Sequence, residues 1–199
     1  GIEIGARGSI KVNEFMQTNV PFVFAGGDVV ESLQMVTGKG EWFPLGDTAN
    51  QHGRVIGTNL ALVTQGLDPM ATFPGRLGTN IFQVFDLGVG SSGITETQAL
   101  EANMDAAAVV IRGRDRPGYM PGAQGVRVKL LAERESGRVL GVQAWGPGKV
   151  DKVLDTIATA MTFRATVDDL INLDLAYAPP FAPALGLPVV AASVLEKQL

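Results

Sequence analysis

The segment from Gly66 to Gly78, GLDPMATFPGRLG, constrains the fold most, because five of its thirteen residues are glycine or proline. Neither a helix nor a central strand readily continues through such a segment, since proline lacks an N–H donor and glycine loses the most backbone freedom on folding. Regular hydrophobic patterns occur on both sides of it. The sequence therefore predicts two domains, 1–70 and 73–199, with the boundary near Phe73.

The first domain has the pattern of an α/β unit. SIKV and PFVFAG are rich in β-branched and aromatic residues and predict two short strands, the second apolar throughout, as in a parallel sheet covered on both faces. Gly46 to Gln65 predicts a helix, because apolar residues recur at near-helical spacing and Asp47 lies in the first turn. These apolar residues are Ala49, Val55, Ile56, Leu60 and Val63.

The second domain has the pattern of an α+β unit. TNIFQVFDLGV, AAAVVIR, VRVKLLAE and RVLGVQAWG read as strands, with a short helix, TETQALEAN, after the first and a hairpin loop, RESGR, before the last. Val126, Val128 and Leu130 alternate towards one face. Three helical stretches follow, the second with a capping-box spacing from Thr166 to Asp169. The expected architecture is an antiparallel sheet with helices.

Composition and charge exclude several classes of function. The net charge of -4 gives no positive field for nucleic acid or an anionic membrane. The absence of cysteine excludes disulfides, thiolate nucleophiles and cysteine metal sites, and no second histidine accompanies His52, so no metal site is expected. No apolar run is long enough to span a bilayer, and no signal peptide is recognisable at the start. We therefore expect a cytoplasmic protein, cut from a longer one.

The glycine motif GVGSSG, Gly88 to Gly93, matches a dinucleotide fingerprint but lacks its mechanism. Thr95 and Gln98 have capping-box spacing, which starts the helix after the glycines instead of among them. No acidic residue for a ribose stands about 20 residues further on. The motif therefore predicts a strand and turn rather than a nucleotide site.

FAGGD is a stronger candidate. Gly26 and Gly27 end an apolar run and would let the backbone approach a ligand, while Asp28 offers an acceptor to a hydroxyl group. The pattern alone fits equally a turn in which Asp28 caps nearby N–H groups. His52 is more simply interpreted as a surface histidine, or one with its hydrogen bonds satisfied, than as a catalytic one.

The order of these segments along the chain resembles that of a known protein family. TNVPFVFAGGDVVES followed by VTGKGEWFPLGDTANQHGRVIG resembles the second flavin-binding segment of the pyridine nucleotide-disulfide oxidoreductases. The resemblance implies that Asp28, beside Gly26 and Gly27, binds a hydroxyl of the FAD ribityl chain. It also implies that Leu45 and Gly46 open a helix aimed at the flavin pyrimidine edge, where a helix N-terminus stabilises negative charge.

The remainder is similar to the dimerisation domain of the coenzyme A-disulfide reductase, NADH oxidase and NADH peroxidase branch, most specifically in LDLAYAPPF. The resemblance implies a homodimer in which Tyr177, supported by Tyr119, approaches the partner's redox cysteine. Two departures leave the acceptor open: Met120 replaces a second tyrosine, and LGLPVV replaces a polar segment after YAPPF. Because no histidine lies beyond His52, the branch with a His-Glu pair is excluded.

The sequence thus predicts the end of a Rossmann-like FAD domain followed by an α+β dimerisation domain. The parent enzyme would use FAD and NAD(P)H to reduce a small disulfide or another sulfur or oxygen acceptor, with its redox cysteine outside these 199 residues. Two alternatives stay open: an NADH oxidase or peroxidase of the same family, and a piece that serves only as an inactive dimerisation module. A nucleotide-binding domain built on GVGSSG is a third, less favoured reading.

Overall fold

The computed structural model describes all residues, 1–199, and divides the chain into two compact units, Gly1–Arg76 and Leu77–Leu199. The division falls inside the segment rich in glycine and proline. The first unit contains both helix and strand, and an antiparallel sheet with helices forms the second, which confirms the predicted fold class. None of the helices has both the length and the apolar character needed to cross a bilayer.

The first unit contains one long helix and a small two-stranded sheet. A 3₁₀ turn, Gly27–Val29, precedes strands β1, Glu31–Leu33, and β2, Gly40–Trp42, which pair antiparallel. Helix α1 spans Gly46–Val63. The core of the unit is small and apolar; it comprises Met16, Val30 and Phe73, with Ile10, Val12, Ala25, Val55 and Ile56 packed around them.

The two strands predicted from SIKV and PFVFAG are not regular strands. They take part only in isolated bridges, those of Ile10 with Ile4 and Val30 and that of Phe24 with Gln17. In the second case the chain turns, because the Val23 N–H donates to the Val20 carbonyl at 3.1 Å and Phe22 adopts a positive φ of 64°. A turn at this point leaves too few extended residues for a ladder, so the apolar run is shorter as a strand than its composition indicated.

Helix α1 forms as predicted, but its buried face is polar. Thr48, His52 and Asn59 are buried, whereas Leu60, counted among the apolar face residues, is exposed. The Asn59 amide explains one of these positions, because it makes four hydrogen bonds to the backbone. It donates to the carbonyls of Phe15 and Ala71 and accepts from the N–H groups of Met70 and Ala71, so burial leaves none of its polar atoms unpaired.

The second unit is a five-stranded antiparallel sheet of order β3-β4-β7-β6-β5. Its strands are β3, Asn80–Val84; β4, Leu87–Gly93; β5, Ala106–Arg114; β6, Gly125–Glu133; and β7, Val139–Gly146. TNIFQVFDLGV, predicted as one strand, is the β3-β4 hairpin, since Phe85 at its tip adopts a φ of 51° and reverses the chain. The predicted hairpin between β6 and β7 is confirmed.

The helices of the second unit cover one face of this sheet. Helix α3, Val150–Thr162, packs on β4 and β7, and α5, Leu187–Leu195, packs on β5 and β6. Val126, Val128 and Leu130 of β6 are buried beneath them, as their alternation predicted. The shorter helices α2, Glu96–Glu101, and α4, Val167–Ile171, both begin with the predicted capping boxes, at Thr95 and Thr166.

Candidate functional site

The Gly26–Asp28 turn packs its glycine backbone closely against helix α1. A Cβ added to Gly26 would lie 2.6 Å from Ile56 Cδ1 and 3.0 Å from His52 Cβ, so no larger residue fits there without rearrangement. Gly27 adopts a φ of +78°, which favours glycine. Asp28 follows in the 3₁₀ turn with an exposed side chain. Its own carbonyl accepts a hydrogen bond from Trp42 Nε1 at 2.6 Å.

His52 holds this turn against helix α1. Its Nδ1 accepts the Gly27 N–H at 3.1 Å, and its Nε2 lies 3.2 Å from Ser32 Oγ. Because Nδ1 is an acceptor, the ring proton resides on Nε2 and the imidazole is neutral. Burial, and secondarily the positive charge of Arg76, lowers the pKa of His52 below its usual range. Phe73 packs edge to face against the ring at 4.3 Å between centroids.

The N-terminus of α1 lies beside the same turn. Leu45 is the N-cap residue, extended and without a side-chain cap, so no side chain satisfies the first N–H groups of the helix, beginning at Gly46. A Cβ on Gly27 would lie 3.6 Å from Ala49 Cβ, one turn into the helix. The structure therefore brings together Gly26, Gly27 and the start of α1, which carry the predicted flavin contacts.

Tyr177 lies in an irregular connection between α4 and α5 and is about half exposed. The connection closes on itself, because the N–H groups of Phe181 and Ala182 donate to the Ala178 carbonyl at 2.8 and 3.0 Å. Lys149, at the N-cap of α3, donates from Nζ to the Phe181 carbonyl at 2.9 Å, and the same ammonium lies 5.8 Å from the centre of the Phe181 ring. Lys149 thus links the tyrosine segment to the start of α3.

Tyr119 occupies a separate turn, closed by the Met120 N–H donating to the Pro117 carbonyl at 2.9 Å, and its ring is exposed. The loop that carries it is fixed by Asp115, whose buried carboxylate accepts the Gln124 N–H at 2.9 Å and pairs with Arg116. No hydrogen bond or ring contact joins Tyr119 to Tyr177.

The GVGSSG motif lies wholly within β4, and helix α2 begins after it, so the predicted strand placement is confirmed. Its glycines serve packing: a Cβ on Gly90 would lie 2.5 Å from Leu154 Cδ1 of α3 and 2.4 Å from the Asn80 carbonyl oxygen. There is also no group of three metal-ligating side chains in the chain.

The sequence reasoning missed the supporting roles of His52 and Lys149. For His52 the sequence did contain a signal: Thr48 lies four residues before it and Asn59 seven residues after it. This spacing places the three polar side chains on one face of the helix. For Lys149 no local pattern indicated a partner 32 residues away.

Comparison with known proteins agrees with this arrangement. Residues 80–188 match the model of the pyridine nucleotide-disulphide oxidoreductase dimerisation domain, and residues 1–53 match that of the pyridine nucleotide-disulphide oxidoreductases. Both matches describe oxidoreductases. The chain belongs to the pyridine nucleotide-disulphide oxidoreductase family.

Three relatives illustrate the similarity. An NAD(P)H sulfur oxidoreductase (CoA-dependent) from Pyrococcus furiosus is 39% identical over 98% of this chain and 43% of its own length. A coenzyme A disulfide reductase from Staphylococcus epidermidis is 32% identical over 88% of this chain and 39% of its own. An NAD-dependent persulfide reductase from A. fulgidus superposes with a TM-score of 0.91 at 44% identity, over 99% of this chain and 36% of its own. The chain thus spans less than half the length of these relatives.

Proposed function

We propose that this chain supplies the flavin ribityl and pyrimidine contacts and the dimer interface of an FAD- and NAD(P)H-dependent disulfide reductase. One observation carries the proposal: the Gly26–Asp28 turn is fixed against the uncapped N-terminus of α1 by His52. The relatives are named for sulfur, coenzyme A disulfide or persulfide as their acceptor. These names support a small disulfide or sulfur acceptor for this enzyme. The protein would be a cytoplasmic homodimer with neither nucleic acid nor membrane as a partner.

The residues present fit a flavin. The exposed Asp28 carboxylate forms no ion pair in the chain and is available to accept hydrogen bonds from ribityl hydroxyls. Gly26 and Gly27, which precede it, let the turn lie close to the start of α1. The N–H groups of the first turn of α1, beginning at Gly46 directly after Leu45, would stabilise negative charge on the pyrimidine edge. When bound, FAD supplies the transfer of a hydride from NAD(P)H towards the acceptor.

Tyr177 is the proposed residue at the acceptor. With no cysteine in this chain, the redox cysteine must come from elsewhere in the enzyme, and an exposed tyrosine on a surface connection suits a contribution to the partner subunit's site. The phenol O–H would donate a hydrogen bond to a thiolate, or a proton to a departing thiolate sulfur. Tyr119 would support it from the separate turn.

A second candidate is an NADH oxidase or peroxidase of the same family. It is favoured by Met120, which leaves Tyr119 as the only phenol in its turn, and by the apolar LGLPVV segment after the tyrosine connection. Both changes remove polar groups that a bulky thiol substrate would need. The inactive dimerisation module remains the alternative for this chain in isolation.

The test compares acceptors in the full-length enzyme. We expect NAD(P)H oxidation to depend on coenzyme A disulfide or a persulfide, with Tyr177→Phe lowering kcat for the disulfide at least tenfold while NAD(P)H still reduces the bound flavin at the normal rate. Tyr119→Phe is the matched control and should have a smaller effect. Asp28→Ala should release FAD. If NAD(P)H oxidation requires only oxygen and proceeds at the same rate in the Tyr177→Phe variant, the oxidase function is favoured and the proposed reductase function is overturned.

A further inference from the structure

The sheet face of the second unit that lies opposite helices α3 and α5 carries a continuous row of side chains. Strand register places Arg112 opposite Arg127, Arg127 opposite Trp145, Trp145 opposite Val89, and Val89 opposite Phe82. The row therefore crosses all five strands at one level, with two cations at one end and apolar side chains at the other.

The two arginines have no counter-charge. Neither Arg112 nor Arg127 forms an ion pair or a side-chain hydrogen bond, and both are exposed. Like charges directly opposite each other on neighbouring strands destabilise a sheet. Lys129, two residues along the same face of β6, is by contrast paired with Glu96. An anion held between the two guanidinium groups would offset the repulsion.

Trp145 separates two cavities on this face. One, of about 290 Å³, is lined by Arg112, Arg127, Leu87 and Trp145 among others. The other, of about 240 Å³, is lined by Phe82, Val89 and Trp145 among others. Each approaches the lower limit of about 300 Å³ for small-molecule sites. A cationic pair and a half-buried indole therefore border the same space.

We propose that this face binds a nucleoside phosphate, with the phosphates on Arg112 and Arg127 and the flat base on Trp145. Guanidinium groups bind phosphate oxygens in a bidentate manner, and an aromatic side chain stacks on any base. The site lies on the opposite face of the sheet from helices α3 and α5 and uses none of the residues assigned to the flavin or the acceptor. It is therefore independent of the proposed function.

The 199-residue chain itself supports a direct test, because Trp42 and Trp145 are its only tryptophans. Trp42→Phe leaves Trp145 as the sole indole reporter. Titration of this variant with ADP, with excitation at the red edge of indole absorption, should give a saturable quenching of Trp145 fluorescence. In the same background, Arg112→Gln with Arg127→Gln should weaken ADP binding at least tenfold.

Lys152→Gln provides the matched control, since Lys152 is an exposed cation of the same unit with no ion pair, and it should change the affinity less than twofold. Pyrophosphate, which lacks a base, should bind at least fivefold more weakly than ADP. Calorimetry should detect the same ADP binding in the chain that retains Trp42. This second measurement distinguishes a true absence of binding from a folding defect in the Trp42→Phe variant.

The proposal is overturned if neither method detects saturable ADP binding, or if the double arginine variant binds ADP normally. Equal affinity for pyrophosphate and ADP would also overturn it, because the base would then contribute nothing.

Discussion

At the scale of single residues, two buried polar side chains of α1 are stabilised by complete sets of hydrogen-bond partners. His52 and Asn59 are both almost fully buried on α1, and each binds backbone groups of a distant segment. Unpaired, each would impose a desolvation penalty of about 1–3 kcal/mol per polar group. These two residues thus add to the apolar contacts that Val55 and Ile56 make with the core, and they fix the turn at Gly27 and the chain near Ala71.

His52 makes stability depend on pH. Its pKa in the folded protein is lowered by burial and by Arg76, so below about pH 6.5 the unfolded chain binds a proton that the folded protein does not. The free energy of unfolding should therefore fall as pH is lowered from 6.5 to the depressed pKa of the folded protein. Above pH 6.5 the contribution of His52 to this free energy should be complete. Urea titrations at several pH values measure this slope. His52→Asn should flatten the slope; an unchanged slope would mean that another group is responsible.

Asn59 should be the least replaceable polar residue of the first unit. Asn59→Leu would leave the N–H groups of Met70 and Ala71 and the carbonyls of Phe15 and Ala71 without their partner. We expect a loss of about 3 kcal/mol or more in the free energy of unfolding, measured by urea denaturation. Asn50→Leu, at an exposed position of the same helix, is the control and should cost less than about 1 kcal/mol. Equal losses in both variants would refute the assignment.

At the scale of elements, α3 depends on a glycine of β4 for its close approach. Gly90→Ala would place a methyl group within 2.5 Å of Leu154 and of the Asn80 carbonyl, which forces the helix or strand to shift. The expected cost is about 1–3 kcal/mol. Gly88→Ala meets only ordinary contact, 3.4 Å from Val150 Cβ, and should be milder. Thermal denaturation of both variants measures these losses of stability. A larger loss for Gly88→Ala than for Gly90→Ala would contradict the proposed packing of α3 on β4.

The connection that carries Tyr177 should lose order when its lysine is removed. Lys149→Met keeps the aliphatic chain but deletes the charged donor to the Phe181 carbonyl. Since a hydrogen bond from a charged group contributes about 1.5–3 kcal/mol, amide exchange at Phe181 and Ala182 should become roughly tenfold faster or more. Hydrogen exchange followed by mass spectrometry measures it, with Lys152→Met as control. Unaltered exchange would show that the connection is held by its own turn alone.

Elements with strong local signals were predictable, and those that depend on distant contacts were not. The capping boxes at Thr95 and Thr166 fixed the starts of α2 and α4, and the GVGSSG glycines were correctly kept out of a helix. The strands expected from SIKV and PFVFAG did not form as regular strands. A strand requires pairing neighbours that composition does not reveal, and the positive φ of Phe22 turns the chain within the second segment. The positioning of Tyr177 by Lys149 likewise arises only in the folded chain.

At the scale of the whole molecule, the two units have separate roles in the account. The first would meet the flavin at Asp28 and Gly46, and the second would form a homodimer that presents Tyr177 to the partner. Family membership supports the second role through the dimerisation-domain match over residues 80–188. Exposed apolar side chains in the tyrosine connection, Phe181 and Leu185 among them, are consistent with a covered surface.

The solution mass of the chain tests this claim most directly. Light scattering across a wide concentration range should give twice the 20.9 kDa of one chain, with Phe181→Ala shifting the equilibrium towards the monomer. A mass of 20.9 kDa at every concentration would contradict the proposed dimer interface and, with it, the placement of Tyr177 at a partner's site.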